Sequence, residues 1–196
     1  IPAPFPYRNP FNETDPAKLA QLCLAALEDE IAFQGAGTIA AFIMEPILGA
    51  GGVIPPHESF MPGVAAICRK NGILLIADEV ITAFGRCGDM TGSDAFGVVP
   101  DLMTFAKQVT NGVQPLGGVV AGRDIYDTFM AAGGPDYMLE FAHGYTYSAH
   151  PVACAAGIAA LDLLEREDGV ARVKALSNHF ETAVHGLKGA PYVLDI

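Results

Sequence analysis

Four continuous apolar runs constrain this fold more than any other feature of the chain. They are Thr38–Met44, Ile73–Ala77, Leu102–Ala106 and Leu116–Ala121, and none shows the polar alternation of a half-exposed strand. A strand without that alternation is buried on both faces. Helical stretches lie between them. Thr14-Asp15-Pro16 supplies a capping side chain and then a proline in the first turn. Leu19, Leu22, Cys23, Ala26, Leu27 and Ile31 continue that helix as one apolar face toward Gly35. Further helices are expected over Ser59–Lys70, Asp124–Met130, Pro151–Glu167 and Val170–Leu187, and the proline-rich Ile1–Pro10 reads as an extended loop. The order predicts an α/β fold, a mainly parallel sheet with helices on both faces. Tyr192–Ile196 reads as a further strand beginning. Together with the loop-like opening, this predicts that the 196 residues are a fragment of a longer polypeptide.

Ligands of such sheets gather at the carboxyl ends of the strands. The charged residues there are Glu45, Asp78 with Glu79, and Lys107. Each alone reads more readily as the point where a strand meets water. Three strands ending this way would place a lysine and carboxylates in one cleft. The clusters Gly49-Ala50-Gly51-Gly52 and Gly117-Gly118 would let the backbone approach a ligand, although such clusters are also ordinary turns. Neither GxGxxG after a strand nor GxxxxGK[ST] occurs, so a nicotinamide-dependent dehydrogenase is a remote reading.

The chain is 51% hydrophobic and 17% charged, which suits a buried core and argues against disorder. A net charge of −11 lacks the basic footprint of a nucleic-acid binder. No apolar run approaches the roughly 18 residues of a membrane span, and nothing resembles a signal peptide. The four cysteines show no CxxC pair and no metal-ligand spacing. They are expected to be reduced core thiols in the cytoplasm, with no metal site.

The segment Leu75-Ile76-Ala77-Asp78-Glu79-Val80-Ile81-Thr82-Ala83-Phe84-Gly85-Arg86, followed by Pro100-Asp101-Leu102-Met103-Thr104-Phe105-Ala106-Lys107, resembles the attachment signature of class III pyridoxal-phosphate (PLP) aminotransferases. Met44-Glu45-Pro46 with Gly49–Val53, and His143–Pro151, resemble two further blocks of that family. The resemblance spans essentially the whole chain. Gln108–Gly112 and Gly144–Pro151 are most similar to the β-alanine (ω-amino acid):pyruvate members.

This resemblance implies a PLP-dependent transferase of fold type I, with residues 1–196 forming its PLP-binding large domain and an upstream segment and a small domain lying outside. Lys107 would hold PLP as a Schiff base and then act as the general base. A lysine is required because only an amine forms that bond, and a desolvated amine is nucleophilic near neutrality. Asp78 would face the pyridine nitrogen and keep it protonated, so that the ring accepts electrons from the substrate carbon. Ile81 would pack against the ring. Thr146 would donate to the phosphate from the neighbouring subunit of a homodimer or higher homo-oligomer. Glu45 would lie near the cofactor's hydroxyl side.

Glu79 is expected to point away and serve the structure. Ala50 stands where ornithine-type relatives carry a glutamate, which disfavours that subgroup. His143 and His150 read as loop-structure residues. The implied reaction moves an amino group from an ω-amino acid or amine to a keto acid, pyruvate by resemblance. The alternatives are an aminomutase, decarboxylase or racemase of the same family, or a non-catalytic fragment acting as a dimerisation piece.

Overall fold

The computed structural model describes residues 1–194 and 196. Four strands form one sheet in the order β1 (Ala41–Met44), β2 (Leu74–Asp78), β3 (Leu102–Phe105) and β4 (Gly118–Ala121). The first two pairings are parallel, and β4 joins β3 antiparallel. The long excursions carrying α2 (Phe60–Asn71) and α3 (Gly92–Ala95) return the chain for parallel pairing. The short passage from β3 to β4 has no crossover helix and therefore reverses direction.

Helix α1 (Pro16–Gln34) starts where expected. Asp15 Oδ1 accepts from the Lys18 amide at 2.9 Å, and Pro16 occupies the first turn. Helix α2 stops at Gly72, whose φ of 68° gives the left-handed cap that glycine adopts without strain. Helices α4 (Arg123–Ala132), α5 (Pro151–Arg166) and α6 (Gly169–His185) fall within a few residues of their expected bounds. The first strand is shorter than its apolar run. Residues Ala36–Thr38 form a 3₁₀ turn held by the Thr38 hydroxyl, which donates to the carbonyls of Gln34 and Gly35. The strand expected at Tyr192–Ile196 does not form over 192–194, where a turn at Pro191–Tyr192 ends the regular structure, and Asp195 lies outside the described residues.

The core sits between α1, α2 and one face of the sheet. Leu19, Cys23 and Leu27 meet Met61, Val64 and Cys68 there, over Leu75 and Ala77, with Phe42 and Met44 packed alongside. The opposite face, to which Ile43, Ile76, Asp78 and Thr104 belong by alternation and register, is less covered. Ile43 is 59% exposed and Val119 on β4 is 62% exposed. Burial of every strand on both faces, expected from the apolar runs, therefore does not hold within this chain. Its helices α1 and α2 close one side only. Among the described residues, no helix is long and apolar enough to cross a membrane, and all four cysteines are free thiols.

Candidate functional site

The carboxyl ends of β1, β2 and β3 lie side by side, and they carry Glu45, Asp78 and Lys107 into one region of the molecule. Asp78 is the last residue of β2 and is paired in register with Thr104 of β3. Its Oδ1 accepts two hydrogen bonds, from the Val80 amide and from the Thr104 hydroxyl, each at 3.1 Å. Its Oδ2 accepts none among the described residues. The carboxylate is thus fixed through one oxygen while the other is left for a donor from outside the chain.

Lys107 follows β3 at the start of a 3₁₀ turn, Lys107–Thr110. Its φ of 45° places it in the left-handed region, uncommon for a residue with a Cβ. Val109 and Thr110 of the same turn are buried, with α5 packed against them, and the Thr110 hydroxyl donates to the Gln114 carbonyl at 2.6 Å. This anchoring holds the strained backbone in place. The lysine side chain itself is exposed. The desolvated lysine expected from the sequence is therefore not realised within this chain, because the strand ends form one wall around it.

Glu79 points to the core side, as alternation along the strand requires, and is fully buried. Its Oε1 accepts from the Ser93 amide and hydroxyl, both at 2.6 Å. Its Oε2 accepts from the Gly92 amide at 2.8 Å and the Thr82 hydroxyl at 2.5 Å. Four donors satisfy the charge and tie the segment after β2 to the start of α3. This clamp fixes the turn that begins at Asp78.

Ile81 lies against the loop after β1. A Cβ added at Gly49 would meet Ile81 Cδ1 at 2.4 Å, so any larger residue there makes the Ile81 side chain shift. The Gly49 amide donates to Glu45 Oε1 at 3.2 Å. Glu45, Gly49 and Ile81 thereby form a connected patch, three residues along the chain from Asp78. Glu45 also lines a cavity of about 230 Å³ together with Ile43, Pro46 and Ile54.

Thr146 stands apart from this patch. It lies in an exposed stretch between Tyr145 and Tyr147, which are 79% and 81% exposed. Both tyrosines line a hollow with Gln114, Pro115 and Leu116 rather than with Asp78 or Lys107. His143 and His150 belong to the same stretch. His143 lies between the rings of Phe141 and Tyr145, and His150 precedes α5. Among the described residues, no group of three or more His, Cys, Asp or Glu could hold a metal ion.

The donor set fits PLP. An amine can bond an aldehyde, and an unpartnered carboxylate oxygen can meet a ring N–H. The glycine-permitted contact at Ile81 offers an apolar surface beside them. Two elements of the arrangement escaped sequence reasoning. The Thr104 hydroxyl was hidden inside an apolar run, and the Ser93 and Thr82 partners of Glu79 carried no motif.

The Aminotransferase class-III family model matches residues 1–196. The chain is 54% identical over 175 residues to an ω-amino acid–pyruvate aminotransferase of Pseudomonas putida, covering 87% of this chain and 39% of that protein. It is 51% identical over 184 residues to a β-alanine–pyruvate aminotransferase of Pseudomonas aeruginosa, covering 94% of this chain and 40% of the relative. It superposes with a TM-score of 0.84 and 46% identity on a crystal structure of an amine transaminase from an uncultivated Pseudomonas species in its PLP-bound, internal aldimine form. That match covers 90% of this chain and 39% of the other. The chain spans about two fifths of the length of the curated relatives it matches.

Proposed function

The chain belongs to the class III aminotransferases, and from that membership we propose that it is the PLP-binding part of an enzyme transferring an amino group from an ω-amino acid or amine to a keto acid, pyruvate in particular. One observation carries the reading. Lys107 and Asp78 leave the ends of adjacent parallel strands, and Asp78 presents a single unpartnered oxygen there. The relatives at 54% and 51% identity are both named as pyruvate aminotransferases, which favours amino transfer over mutase, decarboxylase or racemase chemistry.

In this reading Lys107 would hold PLP through its amine, and Asp78 Oδ2 would accept from the pyridine N–H. Bound PLP supplies an electron sink for the electrons released at the substrate carbon. Asp78 keeps the ring nitrogen protonated, because a fixed carboxylate favours the positive form beside it. Once displaced by the donor's amine, Lys107 Nζ would carry the proton from the substrate carbon bearing the amino group to the cofactor carbon that holds that nitrogen. Ile81 would offer an apolar contact that excludes water from one side of the ring. Glu45 orients the loop at Gly49 near the cofactor's hydroxyl side.

Thr146 belongs to the site of a second copy of the chain. Its exposure, and that of Tyr137, Leu139, Phe141, Tyr145 and Tyr147 around it, supports a surface buried in a homodimer. Residues 1–196 then form most of a large domain whose remaining walls come from further chain and from the partner. Four free thiols among the described residues support a cytoplasmic setting.

The test is borohydride reduction of the full-length protein with PLP, followed by peptide mapping. The reduced adduct should sit on Lys107, and Lys107→Ala should lose both the adduct and the conversion of β-alanine plus pyruvate to L-alanine. A trapped adduct that survives in Lys107→Ala would refute the assignment.

A further inference from the structure

We infer that Thr104 is a positioning residue for Asp78, its hydroxyl selecting which carboxylate oxygen is presented at the site. The inference rests on the PLP reading above and extends it to a residue in the middle of an apolar strand.

Thr104 and Asp78 are register partners on adjacent parallel strands, so their side chains emerge on the same face of the sheet. The Thr104 hydroxyl donates to Asp78 Oδ1 at 3.1 Å, and the Val80 amide donates to the same oxygen at 3.1 Å. Two donors approaching one oxygen, one from the neighbouring strand and one from the chain beyond, fix the plane of the carboxylate. They leave Oδ2 as the acceptor for an incoming N–H. Thr104 is bonded to this strand end a second time, since its carbonyl accepts from the Glu79 amide at 2.9 Å. It also stands three residues before Lys107 on the strand that delivers the lysine. One residue is therefore bonded to the carboxylate and belongs to the strand that delivers the amine.

The hydroxyl holds the carboxylate plane, so Oδ2 stays aimed at an incoming ring N–H. Without the hydroxyl the carboxylate keeps a single donor, from the Val80 amide, and is freer to turn. Its hold on the ring N–H then weakens, and the positive character of the ring falls.

The experiment compares Thr104→Val, Thr104→Ala and Thr104→Ser with the parent in the full-length protein carrying PLP. The readouts are borohydride trapping on Lys107, the pH at which the visible absorbance of bound PLP is half-changed, and kcat. Valine keeps the branched shape and removes only the donor. Alanine removes the donor without an added methyl group, and it substitutes for valine should that variant fail to fold. The expected result is that trapping on Lys107 persists while the absorbance midpoint rises by roughly half a pH unit or more in the valine and alanine variants. Turnover should fall about tenfold in both, and serine should return both quantities close to the parent. An unchanged midpoint in the valine or alanine variant, with Lys107 still trapped, overturns the positioning role. So does a serine variant displaced as far as valine. Failure to trap PLP on Lys107 in the parent overturns the cofactor reading itself, and is distinguishable because it precedes any comparison among variants.

Discussion

Ser93 binds Glu79 twice, its amide and its hydroxyl both donating to Oε1 at 2.6 Å, although the two residues are 14 positions apart. The pair closes the segment that runs from the end of β2 to α3, and that segment begins with Asp78. A buried carboxylate of this kind is tolerable because Gly92 and Thr82 satisfy its other oxygen. Removing it would leave four donors without an acceptor.

Glu79→Ala should therefore lower the unfolding free energy of the full-length protein by about 3 kcal/mol or more. Glu79→Gln should also destabilise, because one of its two terminal atoms is a donor facing donors. Urea denaturation of the apoprotein measures both. A loss below about 1 kcal/mol for the alanine variant would show that the clamp contributes little.

Gly49→Ala should force Ile81 from its position, since the new Cβ would come within 2.4 Å of Cδ1. The expected penalty is about 1–3 kcal/mol, typical of overpacking, together with weaker PLP binding. Ile81→Val removes Cδ1 and should recover much of the loss, so the two substitutions should be non-additive in a double-mutant cycle. Strict additivity would mean that the contact is not the source of the effect.

The left-handed backbone at Lys107 gives a separate expectation. In apoprotein, Lys107→Gly should be more stable than Lys107→Ala by about 1 kcal/mol, because glycine takes a φ of 45° without the clash that a Cβ meets. Equal stabilities, by thermal or urea unfolding, would mean that the turn carries no such strain.

Asp15 provides a pH dependence. The Lys18 amide bonded to its carboxylate holds its pKa below the ordinary value, and burial opposes this only in part. A group depressed in the folded state contributes stability that is present above its unfolded pKa and lost as pH falls through its folded pKa. The first turn of α1 should therefore fray as the pH drops below the ordinary aspartate range. Hydrogen exchange at the Lys18 amide should report this, corrected for intrinsic rate. Asp15→Asn retains a capping oxygen and should abolish the pH dependence.

Much of this architecture was legible in the residues alone. Asp15 and Pro16 announced the start of α1, and Gly72 announced the end of α2, since both depend on the conformational limits of single residues. The carboxyl ends of the strands point to Asp78 and Lys107, and the family pattern suggests the roles proposed for them. The first strand is three residues shorter than its apolar run because the Thr38 hydroxyl competes for the backbone, a local bond that an apolar count overlooks. The exposure of Lys107 had no signature in the sequence either, since it depends on which surfaces approach one another.

By itself, then, the sequence determined most of the elements in their order, the family and the two residues at the strand ends. Those follow from periodicity, caps and residue chemistry, which are properties of short segments. Only the tertiary structure decided that Thr104 meets Asp78, that Glu79 is satisfied by Ser93, Gly92 and Thr82, and that Ile81 rests on Gly49. Such contacts depend on strand register and on the path of a loop. A shift of one residue in register would turn the same Thr104 to the other face of the sheet.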